Sequence, residues 1–169
     1  MSRPALWLVN ASPFIGLAKA GHLPLLTAPG REWFLPEVVA REIAAGPAGD
    51  AAVQALRQLA SLGKKPLPAT APDARLAPLR LDAGEEAVLT EALARPGSAV
   101  VIDDGRGRRA AQALGVPCTG TLGVLILARQ EGRLKEMAPA LRALRDAGIF
   151  LPPDAFLRRI LSQIGEAWP

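Results

Sequence analysis

Ala99-Val100-Val101-Ile102-Asp103-Asp104-Gly105-Arg106-Gly107-Arg108-Arg109 is the stretch that decides the fold. Four consecutive apolar residues, three of them β-branched, read as a strand buried on both faces. Two carboxylates end it, and a helix is predicted over 106–114. Working outward, Leu6-Trp7-Leu8-Val9 is a second buried run, and Trp33-Phe34-Leu35, stopped by Pro36, is a third. Val116-Pro117-Cys118 reads as a fourth short strand, and Ile149-Phe150-Leu151 as a last one. Between them the spacing predicts helices over 12–20, 37–45, 50–62, 82–94, 121–131, 134–146 and 154–165. Ser12-Pro13 supplies an N-cap and a first-turn proline for the helix after Val9. Asp82-Ala83-Gly84-Glu85 has the spacing of a capping box. Leu134, Met137, Ala138, Leu141 and Leu144 recur at helical spacing and read as core. Lys64-Lys65-Pro66-Leu67-Pro68 through Pro72 is a proline-rich connection rather than a linker between domains. Continuous apolar strands alternating with helices predict a single α/β domain over 1–169, with a mainly parallel sheet covered on both faces.

Composition narrows the chemistry. The chain has 169 residues, 50% hydrophobic and 21% charged, enough for a buried core and too apolar for disorder. One cysteine, Cys118, excludes an internal disulfide and a cysteine zinc site. A single histidine, His22, and no tyrosine remove most nucleophile-plus-imidazole schemes, and His22 itself reads as structural. The net charge of +4, with the surplus mainly in 101–169, suits a polyanionic partner. No apolar run approaches the length of about 18 residues that a spanning helix needs. Arg3 before an apolar run and Ala18-Lys19-Ala20 faintly resemble a signal peptide, but Asn10, Ser12 and Pro13 interrupt the run; the expectation is a cytoplasmic protein.

In parallel α/β sheets ligands gather at the carboxyl ends of strands. Asn10 and Asp103-Asp104 lie at two such ends. Asp104 has two readings: a cap for the next helix, or a ligand for a divalent ion with Arg106, Arg108 and Arg109 beside it to hold phosphate. Glu85 is either the capping-box partner of Asp82 or an acid of the same site. Glu42 is either a solvated helix residue or a third acid, and Asn10 and Ser12 suit a strand-to-helix turn without any function. Should Asp103, Asp104, Glu85 and Glu42 converge, their mutual repulsion calls for protons or a cation. Mg²⁺ or Mn²⁺ suits oxygen donors and would activate water against a phosphodiester, with no histidine required.

Five motifs in order carry a family resemblance: 9–15 (Val-Asn-Ala-Ser-Pro-Phe-Ile), 36–42 (Pro-Glu-Val-Val-Ala-Arg-Glu), 81–85 (Leu-Asp-Ala-Gly-Glu), 101–108 and 120–125 (Gly-Thr-Leu-Gly-Val-Leu). Together they resemble a PIN-domain protein, closest to the prokaryotic PIN-like subgroup related to VapC toxins. The resemblance implies a three-layer α/β/α sandwich and a Mg²⁺- or Mn²⁺-dependent endoribonuclease. It places the metal on Asn10, Glu42, Glu85 and Asp104, with Asp103 adjacent and Ser12 matching a hydroxyl two places after the first acid. Ser12, Arg106, Arg108 and Arg109 would meet RNA. It also implies the toxin half of a toxin–antitoxin pair, with a small antitoxin partner and a homodimer. One position departs: the family's first acid is usually aspartate, and here it is Asn10, which can ligate a metal but brings no charge. That departure supports a second expectation, a weakened PIN-like module that binds RNA or protein. A third is a dimerising subunit using Phe156, Ile160 and Ile164.

Overall fold

A computed structural model describes residues 4–169, so Arg3 and the first residues of the predicted domain lie outside it. Strands β1 (Leu6–Val9), β2 (Glu32–Phe34), β3 (Ala99–Val101) and β4 (Cys118–Thr119) form one sheet in the order β2-β1-β3-β4. Every pairing is parallel, with Leu8 opposite Phe34 on one side and Val100 on the other. The helices are α1 (Ala11–Lys19), α2 (Glu37–Ala44), α3 (Ala51–Ser61), α4 (Ala83–Leu93), α5 (Gly105–Ala113), α6 (Thr121–Gln130), α7 (Met137–Asp146) and α8 (Asp154–Ser162). They cover the sheet as the outer layers of the three-layer sandwich that the family resemblance implies. Leu8, Val9, Val100 and Val101 of the two central strands, and Ile102 just after β3, are all fully inaccessible. Helix α1 packs against α3, α6 and α7, while α4 lies against α2, β1 and β3.

Several boundaries move, each for a local reason. Helix α1 starts at Ala11 with Asn10, not Ser12, in the capping position, and Pro13 falls in its first turn. Strand β2 runs one residue earlier than expected, because Leu35 turns its carbonyl to the Leu67 amide and Glu37 donates to the Leu67 carbonyl. The proline-rich connection thus covers the outer edge of β2, where a sequence poor in backbone N–H groups is best tolerated. Strand β4 lies at 118–119 rather than 116–118. Pro117 has no N–H for a ladder, but its carbonyl accepts from the Val100 amide at 2.9 Å.

The strand expected at Ile149-Phe150-Leu151 does not form. Helix α7 ends there in a left-handed Gly148, and Ile149 donates its amide back to the Leu144 carbonyl at 3.0 Å. Pro152 and Pro153 then remove two further donors. Helix α7 itself begins at Met137 rather than Leu134, because its first amides are held from far along the chain: Glu166 accepts from both Met137 and Ala138 at 2.7 Å.

Ile102 leaves β3 fully buried and touches α5 at Gly107. Ile102→Ala is expected to cost about 2–5 kcal/mol of folding stability, measurable as a lowered urea midpoint at unchanged slope.

Candidate active site

Asn10 follows the last residue of β1, and its backbone amide donates to the Val101 carbonyl at 3.0 Å, so the two central strands hold it in place. Its side chain is 8% exposed, and its Oδ1 is buried without a hydrogen-bond partner. Asparagine in the capping position normally accepts from the amide two or three residues on. Here the residue three on is Pro13, which has no amide hydrogen, and the side chain does not accept from Ser12, two on, so it makes no cap. The oxygen is left aimed at a space shared with other acids.

Gly84, in the first turn of α4, marks that space. A Cβ there would stand 2.8 Å from Asn10 Oδ1, 3.1 Å from Glu42 Oε2 and 3.4 Å from Asp82 Oδ1. Oxygens from three separate elements therefore surround one point of bare backbone. Glu42 projects from α2, and its carboxyl is raised above the ordinary range, first by desolvation and then by the charge of Asp82.

Asp82 and Glu85 form the predicted capping box: the Glu85 amide donates to Asp82 Oδ1 at 2.7 Å, and the Asp82 amide donates to Glu85 Oε2 at 3.3 Å. Glu85 does more than cap. Its other oxygen accepts from the Gly107 amide at 3.0 Å, in the first turn of α5. The side chain is 2% exposed and lies beneath the cleft rather than on its wall. Its carboxyl is raised, first by burial, with the negative charges of Asp82 and Asp104 acting in the same direction. Asp104 caps α5 by accepting from the Arg106 amide at 2.7 Å. That amide, the largest influence on it, lowers its carboxyl, as does a hydrogen bond with Glu85. Their contact thus acts in opposite directions on the two carboxyls, raising Glu85 and lowering Asp104.

Asp103 turns the other way. Its two oxygens accept from the Thr121 amide at 2.7 Å and the Thr121 hydroxyl at 2.6 Å, at the start of α6. Gly120 permits this, since a Cβ would lie 2.7 Å from Asp103 Oδ1. Among the three arginines, Arg108 lines the cleft and donates to the Ile102 carbonyl at 3.1 Å. Arg106 reaches out to the Arg80 carbonyl at 2.9 Å, and Arg109 lines a separate shallow depression with Gln112 and Val116.

The resulting cleft has a volume of about 1030 Å³. Asn10, Ser12, Glu42, Asp82, Asp103 and Asp104 contribute its polar part, and residues of α6, α8 and the 148–152 loop its apolar part. His22 does not line it. Among the described residues no three His, Cys, Asp or Glu side chains stand close enough to hold an ion by themselves. Asp82 and Thr121 belong to the site although sequence reasoning passed over them. The signal for each was its place in a motif, Asp82 in 81–85 and Thr121 in 120–125.

A PIN domain family profile matches residues 6–166. This chain belongs to the PIN domain family. PIN domains are generally nucleases that use divalent metals such as Mg²⁺ or Mn²⁺. No match is found among curated proteins or among solved structures. No described helix is long and apolar enough to cross a membrane. The donor set of this PIN domain fits a hard cation: the three side-chain atoms nearest a Cβ at Gly84 are all oxygens, and one of them is a buried acceptor that the protein leaves unpaired.

Two glycines of α5 test how rigid the acid framework is. At Gly107 a Cβ would meet Glu85 Oε1 at 2.6 Å and Ile102 Cγ2 at 2.8 Å, both buried. Gly107→Ala is expected to lose about 1–3 kcal/mol in urea denaturation despite the better helix former. At Gly105 the added methyl meets only the end of the Arg109 side chain at 3.1 Å. Gly105→Ala should therefore stay within about 0.5 kcal/mol of the parent.

Proposed function

We propose that this PIN domain is a divalent-metal-dependent endoribonuclease, with RNA phosphodiesters as substrate. The observation that carries the reading is the buried, unpartnered Asn10 Oδ1 facing the same space as Glu42 Oε2 in the cleft that Asp104 lines. Asn10, Glu42 and Asp104 are the residues that would hold Mg²⁺ or Mn²⁺. The bound metal would activate water and offset charge on the phosphodiester. Asp104 suits the role because the Arg106 amide keeps it ionised. Glu42, raised by burial and by Asp82, would lose its proton more readily once a cation is near. Glu85 supports the site from outside the cleft lining by tying α4 to α5, while Asp103 lines the cleft and sets the start of α6. Arg108 offers a guanidinium to phosphate from within the cleft, and Ser12 a hydroxyl. A toxin role in the cytoplasm, beside a small antitoxin and as a homodimer, is the setting that the resemblance to VapC-type toxins supports.

A second reading follows from the neutral Asn10 together with the engagement of both oxygens of Glu85 and of Asp103 by hydrogen donors. It is a PIN domain that binds RNA without turning it over. Incubation of a mixed RNA pool with Mn²⁺ or Mg²⁺, beside EDTA and Asp104→Asn controls, separates the two. The nuclease reading expects cleavage that falls about 100-fold or more in both controls while Asp104→Asn stays folded. Asn10→Asp, which restores the missing charge, should lower the metal concentration for half-maximal cleavage by about 10-fold. Salt-sensitive RNA binding with no metal-dependent cleavage would favour the second reading.

A further inference from the structure

The apolar side of the cleft contains an aromatic residue with no structural task. Gly148 ends α7 in a left-handed conformation, and Ile149 then packs its side chain on Gly16 of α1, where a Cβ would lie 3.2 Å from Ile149 Cγ1. Pro152 and Pro153 follow after Leu151. Pinned on one side by Ile149 and stiffened on the other by the prolines, the loop leaves Phe150 94% exposed. The three tryptophans, by contrast, are all buried, at 3%, 3% and 6% exposure. A lone exposed apolar residue is ordinary. This one lines the same cleft as Asn10, Ser12 and Asp104. Phe156 of α8, 37% exposed, lines it too, with the Arg159 guanidinium 5.3 Å from its ring.

We infer that Phe150, with Phe156, is a stacking platform that receives one unpaired base of a strand lying in the cleft. The inference rests on the nucleic-acid reading of the cleft. A single strand presents planar faces and phosphates along one line, and this cleft presents aromatic rings and Arg108 within one cavity. A duplex hides its base faces in its own stack and has nothing to lay on an exposed ring. A protein partner would also cover Phe150, and the measurements below separate the two.

Phe150→Trp supplies a reporter, since the native tryptophans are all buried. In EDTA, where metal-dependent cleavage is absent, a single-stranded oligoribonucleotide should quench the emission of the introduced indole, and a duplex of equal length should not. Phe150→Ala should weaken single-strand binding by about 5- to 100-fold. Leu62→Ala, at an exposed leucine outside the cleft, should leave it unchanged. Equal binding by the parent protein and Phe150→Ala, or equal quenching by duplex, would overturn the platform. So would loss of self-association in Phe150→Ala with RNA binding intact, which would assign the ring to a protein contact. Cleavage that survives Phe150→Ala with unchanged affinity sinks the platform and leaves the nuclease reading standing. Quenching by single strands in a protein that never cleaves does the reverse.

Discussion

The carboxylate of Glu85 is the contact on which the rest of the site depends. Buried to 2% exposure, it accepts one amide from the start of α4 and one from the start of α5. Both helices follow segments that end at the carboxyl edge of the sheet, and both carry acids in or before their first turn. A hydrogen bond is worth about 0.5–1.5 kcal/mol net, and here two of them satisfy both oxygens of a buried carboxyl. The geometry requires Gly107, because any side chain there would occupy the space of the carboxylate. Asp104 is positioned as a consequence: it caps the same turn of α5 whose third residue is held by Glu85. Moving either helix would move Asp82, Asp104 and the bare backbone of Gly84 together.

Opposite this framework stands an acceptor that the polypeptide does not satisfy. Asn10 occupies a capping position, where its side-chain oxygen has an obvious use, yet it accepts neither from Ser12 nor from Pro13, which has no amide hydrogen. A buried unpaired acceptor costs about 1–3 kcal/mol, so its persistence points to a partner from outside the chain. Glu42 and the open backbone of Gly84 bound the same space. An aspartate here would bring a full charge into a pocket where Glu42 is already raised by burial and by Asp82. Asparagine keeps the donor atom while relieving that repulsion, at the cost of cation affinity.

Much of the fold was legible from local pattern. The runs Leu6–Val9 and Ala99–Val101 are strands because a continuous apolar run can be accommodated only where both faces are covered. The capping box at Asp82 and Glu85 was visible in its spacing. Elements set by distant partners were not: Glu166 decides where α7 starts, Leu67 decides where β2 stops, and the helix end at Gly148 overrides the apolar run after it.

For the site, the sequence by itself determined the inventory: an oxygen-only donor set, no imidazole partner, arginines beside two carboxylates at a strand end, and asparagine where an acid is customary. Which of those groups are free follows from the packing of the elements that carry them. Glu85 is spent on Gly107, Asp103 on Thr121 and Arg106 on the Arg80 carbonyl, whereas Asn10 is left unpaired and Phe150 uncovered. The reason is physical. Residue type states how many hydrogen bonds a group can make, but its partners lie 18 to 26 positions away in these cases, on elements whose approach is set by packing against the sheet.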